Sequence, residues 1–118
     1  MAEYVIYFNQ QWVGEHTEEW FRGRVEPSKA VVEEMKQAGV YVFAGGLVEE
    51  GDPRFTVAHA VPTGDDVNAT LTDGPYTEST EVLGGFAVVD VPDEETARLW
   101  AAKVAVGCGW PQEVRRVV

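Results

Sequence analysis

Residues 71–86 read Leu-Thr-Asp-Gly-Pro-Tyr-Thr-Glu-Ser-Thr-Glu-Val-Leu-Gly-Gly-Phe, and no other stretch constrains the fold as much. Asp73-Gly74-Pro75 is turn chemistry: proline presets its own φ, glycine frees the backbone, and aspartate bonds to nearby amides. An alternating apolar run ends at this turn. A second apolar run follows it, opening with Gly84-Gly85. The turn therefore separates two strands. The glycine pair marks a bulge or the close approach of another backbone or a ligand.

Similar punctuation orders the rest of the chain. Residues 3–8 are β-branched and aromatic throughout, which predicts a strand buried on both faces. Residues 9–16 form a loop that contains Trp12. Thr17 caps a short helix through Glu18, Glu19, Trp20 and Phe21, and Pro27 interrupts it. A second helix starts near Ser28, carries Val31, Val32, Met35 and Ala38 on one face, and stops at Gly39. Residues 40–48 are the next strand. Residues 55–61 and 67–73 alternate with period two and are joined through Pro62-Thr63-Gly64-Asp65-Asp66 as a hairpin. Residues 82–91 form another strand. Asp93 caps a helix whose stripe is Ala97, Trp100, Ala101 and Val104. Gly107-Cys108-Gly109 closes that helix, and residues 113–118 give a last short strand. The order strand, helix, strand, hairpin, strand, helix, strand is an α+β class. Its skeleton is the split β-α-β arrangement of the ferredoxin-like fold. At 118 residues, residues 1–118 make one domain by length.

Two amphipathic helices cover one face of such a sheet. The apolar runs at residues 4–8, 40–43 and 86–91 need cover on the other, which calls for a second copy and hence a homodimer.

The net charge of −11, with only nine Lys and Arg, makes the chain a poor ligand for phosphate backbones, so no nucleic acid and no anionic membrane partner is expected. The acids come as scattered pairs, such as Glu33-Glu34 and Glu94-Glu95, which read as solvated faces. No His or Cys lies near either of these pairs, and no zinc spacing exists, so no metal is expected. Neither glycine pair opens a helix as a phosphate cradle does, which disfavours nucleotides. There is no basic leader with an apolar run and no stretch of about 20 apolar residues. Cys108 is alone, which fits a reducing, cytoplasmic setting.

The segment at 73–86 strongly resembles the signature of the DGPF branch of the YCII-related family. That signature runs Asp-Gly-Pro-Phe, a Glu shortly after, then Leu-Gly-Gly-aromatic. Here it is Asp73-Gly74-Pro75-Tyr76, Glu78 and Leu83-Gly84-Gly85-Phe86. Tyr4-Val-Ile-Tyr7, the block at 37–47 and the tail at 112–118 extend the resemblance over nearly the whole chain. It implies a ferredoxin-like dimeric α+β barrel, two subunits packed sheet to sheet, with a pocket between each sheet and its helices. By analogy across that fold, the chemistry is cofactor-independent proton transfer on a small organic substrate, of the isomerase, lyase or dehalogenase type. A better-known branch of the family carries a helix-start His proposed to work with an Asp. By spacing, that position falls near Ser28, so only the Asp of the pair carries over. This loss favours the other reading, a non-catalytic dimer that binds a small ligand or regulates.

The candidate residues follow. Val67, Ala69, Leu71 and Asp73 share one strand face. Asp73 at the end of that row is either the general acid or base or the carboxylate that bonds the turn amides, and it is expected to be buried. His16, in a loop, is the histidine free to approach Asp73 at a pocket mouth. His59, in the row with Phe55, Val57 and Val61, points to an apolar face. With Val61 opposite Val67, His59 lies about 13 Å from Asp73 along the ladder. Tyr76 supplies an aromatic wall and a hydroxyl for ligand binding. Tyr7, Trp12 and Trp20 are further candidates to line the pocket, against the alternative of core packing. Cys108 reads as an inert thiol.

Overall fold

The strand at Ala2–Asn9 (β1) forms where the sequence is most β-branched and aromatic, and it becomes the centre of the structure. The computed structural model describes Met1–Val118. After β1 come a short 3₁₀ turn at Gln10–Trp12, α1 (Glu18–Gln37), β2 (Tyr41–Gly46), β3 (Thr56–Thr63), β4 (Asp66–Asp73), β5 (Leu83–Val91), α2 (Glu94–Cys108) and β6 (Glu113–Arg116). Four strands form one antiparallel sheet in the order β2-β5-β1-β6. With β3 and β4 set aside, this is the ferredoxin-like order, as expected. β3 and β4 pair only with each other, as an insertion between β2 and β5.

Strand alternation sorts the residues of the main sheet. Tyr4 and Ile6 of β1, with Ala87, Val89 and Val91 of β5, face the helices and are buried. Val31 and Met35 of α1 and Ala97 and Ala101 of α2 close over them. Both helices thus lie on one side of the sheet. α1 and α2 meet at Gly107: a Cβ there would stand 2.9 Å from Val31 Cγ2 and 3.0 Å from the Pro27 carbonyl oxygen. Only a residue without a side chain permits that approach.

The helix ends follow local chemistry. Thr17 Oγ1 accepts from the Trp20 amide at 3.1 Å, and Asp93 Oδ1 from the Thr96 amide at 2.8 Å. The same bonds, from the Thr96 hydroxyl and amide, hold the Asp93 carboxyl below its usual range. Gly109, at φ +94, ends α2 in the left-handed conformation.

The structure departs from expectation in three places. α1 is one helix of 20 residues with Pro27 inside it, not a short helix followed by another. A proline inside a helix clashes with the carbonyl four residues back. That residue is Gly23, in an open part of the helix surface where even a Cβ would meet no atom within 4 Å. The Ser28 hydroxyl also donates to the Arg24 carbonyl at 2.6 Å in the affected turn.

Second, the hairpin strands run to Thr63 and from Asp66, and the pairing is Val61 with Asn68. The expected partner was Val67. A shift of one residue exchanges the two faces of a strand.

Third, the chain alone closes no barrel. Its main sheet is open, with β2 and β6 as edges, and the hairpin forms a second sheet. The hairpin makes little contact with anything outside itself. The radius of gyration is 17.0 Å, against about 13.5 Å for a compact chain of this length. The arm accounts for the excess.

Candidate functional site

A cavity of about 480 Å³ lies between the helix-facing side of the sheet and the two helices, within the usual range for small-molecule sites. Its body is apolar: Ile6, Val31, Val32, Met35, Ala87 and Val104. Five separate elements supply its walls. The charged lining residues Lys29, Glu33 and Lys36 are all exposed and form the rim. The Lys36 ammonium lies 5.1 Å from the centre of the Tyr41 ring.

Ser28, Cys108 and Gln112 are the uncharged polar side chains of the lining. Ser28 Oγ is 3.5 Å from the Gly107 carbonyl and 3.7 Å from Cys108 Sγ. Burial pushes the Cys108 thiol up from its ordinary range, against the Ser28 hydroxyl and the Arg24 charge, which pull the other way. Cys108 is therefore a neutral thiol near pH 7 and a poor nucleophile. The Gln112 amide nitrogen is buried without a hydrogen-bond partner, as is the Trp110 indole nitrogen.

Phe8 forms the adjoining wall. Its ring packs on Trp110 at 5.1 Å, and Trp110 on Trp20 at 6.2 Å. The ring sits where Gly84 and Gly85 leave room: a Cβ at either position would come within 2.5 and 2.9 Å of it. The close approach expected of that glycine pair is made by this ring.

The seven residues singled out from the sequence fall into three groups, and none lines this cavity. His16 lies at the start of α1, stacked on Trp20 with ring centres 3.5 Å apart, and its Nε2 is 3.0 Å from the Val13 carbonyl. Trp20 therefore backs the cavity wall at second hand, through Trp110 and Phe8. Tyr7 and Trp12 lie on the other side, with ring centres 6.3 Å apart. The Tyr7 hydroxyl donates to Glu113 Oε1 at 2.6 Å. That bond holds the phenol's pKa above its ordinary value. Trp12 Nε1 donates to Glu81. Tyr7 also borders a shallow groove with Val5, Phe86, Val88 and Arg115 on the sheet face that no helix covers.

The third group is on the arm. His59 Nε2 lies 2.8 Å from Thr72 Oγ1, and the His59 ring centre is 5.9 Å from that of Tyr76, which is exposed. Asp73 pairs with Thr56 at the base of the arm. His59 and Asp73 thus point to opposite faces of the hairpin. Asp73 is exposed, contrary to the expected burial. It does not bond the turn, for a plain reason: the Gly74 amide already donates to the Phe55 carbonyl at 2.8 Å, and Pro75 has no N–H to offer. The peptide between Gly74 and Pro75 is cis.

No group of three or more His, Cys, Asp or Glu side chains comes together to hold a metal ion. No helix is long and apolar enough to cross a membrane. Of the cavity's polar residues, the sequence pointed only at Ser28, through the spacing match to the family's histidine. Gln112 follows a proline in a link between elements and carries no local signal. The family model of the YCII-related domain matches residues 25–107. No curated protein matches the chain.

Proposed function

The chain belongs to the YCII-related family, and on that premise we propose that it is a homodimer that binds a small organic molecule in the cavity between sheet and helices. Binding, and not acid–base turnover at Asp73, is the reading the geometry supports best. One observation carries it: the cavity is walled by Ile6, Val31, Met35 and Val104, and its ionised groups stand on the exposed rim. Proton transfer needs a titratable group within hydrogen-bond reach of the reacting atom. Inside this cavity the titratable candidate is the Cys108 thiol, which burial keeps protonated. Asp73 ends β4 and His16 lies in the loop before α1, and neither borders the cavity.

The dimer has independent support. Only 13 of 118 residues are buried, few for a chain that is 45% hydrophobic. Val5, Tyr7, Phe86 and Val88 line the uncovered side of the sheet, and the ring of Phe43, 52% exposed, lies tilted beside that of Phe86 with centres 5.7 Å apart. Contiguous apolar surface of this kind marks an interface. A stable one buries upwards of roughly 1,000 Å² in total.

A fragment titration followed by methyl NMR tests the site. The Met35 and Val31 methyl signals should shift first. Shifts centred on Asp73 and Tyr76 would move the site to the arm. For the dimer, sedimentation of the wild type at micromolar concentration should give two copies, and Val88→Glu should give one. A wild-type monomer at that concentration removes the dimer.

A further inference from the structure

Strand register fixes which side chains stand on the open side of the main sheet. Tyr4 and Ile6 face the helices, so Glu3, Val5 and Tyr7 of β1 face away. Their partners on β5 are Asp90, Val88 and Phe86. On β6, Arg115 pairs with Val5 and Glu113 with Tyr7. Phe43 of β2 stands beside Val88. The middle of this side is therefore apolar, with Val5 and Val88 at its centre. Glu3 and Asp90 form one end, two carboxylates directly opposite each other on neighbouring strands. Like charges so placed repel.

Arg115 is the only cation that the register sets on this side. The chain's three ion pairs, Arg54–Asp52, Arg98–Glu94 and Lys103–Glu34, all lie elsewhere. Glu113 accepts from the Tyr7 hydroxyl. That bond raises the Tyr7 pKa and the Arg115 guanidinium pulls it back, so Arg115 lies toward Tyr7 and away from Glu3. One chain thus leaves a carboxylate pair and a guanidinium unmatched on the side where a second copy is proposed to sit. Two copies of net charge −11 repel at a distance, so attraction has to come from the interface itself.

A two-fold axis can match the charges. With strands about 4.8 Å apart and about 3.3 Å of rise per residue, the axis that carries Arg115 onto the Glu3–Asp90 pair runs between Val5 and Val88, at about 45° to the strands. The strands of the two sheets then cross at about 90°, one of the two common sheet packings. The same axis lays Phe43 of one copy over the Tyr7–Phe86 pair of the other. Charge meets opposite charge, and apolar surface meets apolar surface.

We infer that Arg115 of each copy bonds the Glu3–Asp90 carboxylates of the other, and that this contact fixes how the two sheets sit in the dimer. The inference rests on the homodimer reading, and the test separates the two claims. Arg115→Glu and the double variant Glu3→Lys with Asp90→Lys are each sedimented at micromolar concentration, alone and mixed in equal amounts. Each alone sets like charges against one another and should associate at least about tenfold more weakly than the wild type. Mixed, they should form a heterodimer near wild-type strength, because one contact is native and the other has its signs exchanged. Arg116→Glu makes the same charge change on a residue that borders the groove but pairs with helix-facing Tyr4. It should stay within about threefold of the wild type, as an exposed charge does.

Equal weakening by Arg115→Glu and Arg116→Glu means general repulsion alone and overturns the inference. A mixture that fails to associate overturns it as well. Should a reversal variant fail to fold, Arg115→Gln and Asp90→Asn carry the comparison as a double-mutant cycle on dimer affinity: coupled losses support the contact and additive losses overturn it. A wild-type dimer indifferent to Arg115→Glu keeps the dimer and removes the contact. A wild-type monomer removes both.

Discussion

β4 and β5 are strands of eight and nine residues, and both set apolar side chains on one face by alternation. Their surroundings differ completely. Val89 and Val91 on β5 are fully buried, while Val67 and Leu71 on β4 are 67% and 71% exposed. The arm's apolar face continues through Ala58 and Ala60 of β3, also exposed. Periodicity makes a face, and it says nothing about what lies over it. For β5 the answer is in the same chain, as α1 and α2. For β4 it is not, and an isolated two-stranded hairpin is marginal in water.

The comparison breaks most easily at the buried end. Met35 is fully buried and also lines the cavity. Met35→Ala should cost about 2–5 kcal/mol in urea unfolding, the usual range for a large-to-small core change. A cost under about 1 kcal/mol would mean that the body collapses around the loss.

Gly107→Val tests the helix contact rather than the sheet. The new side chain meets Val31 and the Pro27 carbonyl, so α1 and α2 must part. Overpacking of this kind costs about 1–3 kcal/mol. A neutral result, read by thermal unfolding, would show that the helices have slack.

The arm should show the smallest effects. Leu71→Ala and Asp73→Asn, measured at concentrations where the chain is monomeric, should each stay within about 0.5 kcal/mol, as surface substitutions do. If Leu71→Ala costs as much as Met35→Ala, the arm is packed in solution and the contrast between the two strands is lost. If its cost rises with protein concentration, the cover comes from another copy.

The sequence was most legible where a feature depends on its neighbours along the chain. Thr17 and Asp93 cap the helices, Gly109 ends α2, and the strand and helix order holds, because caps, stops and alternation are local. Pro27 misled because α1 carries it in its interior, whereas local chemistry alone reads a proline as a helix end. The arm's register slipped by one because the turn is tighter than the five-residue loop assigned to it, and that slip moved His59 to the face opposite Asp73. Asp73 was expected to be buried because its row is apolar, yet that whole row faces solvent. The cavity lies between sheet and helices, where the family resemblance put a pocket, but its lining was the least legible feature. Ser28 and Cys108 meet, and Gln112 joins the same lining, only after two helices fold over one sheet, and no spacing along the chain records that.

The seat of Phe8 has a consequence for how such a cavity can change over time. Its ring is a wall of the cavity, and it rests in the space left by Gly84 and Gly85 on the neighbouring strand. Any side chain at either glycine would push the ring off its seat. The room available to a bound molecule is therefore governed in part by positions that need never touch it. Variation in the glycine pair would retune what the cavity admits while leaving every ligand-facing residue as it is.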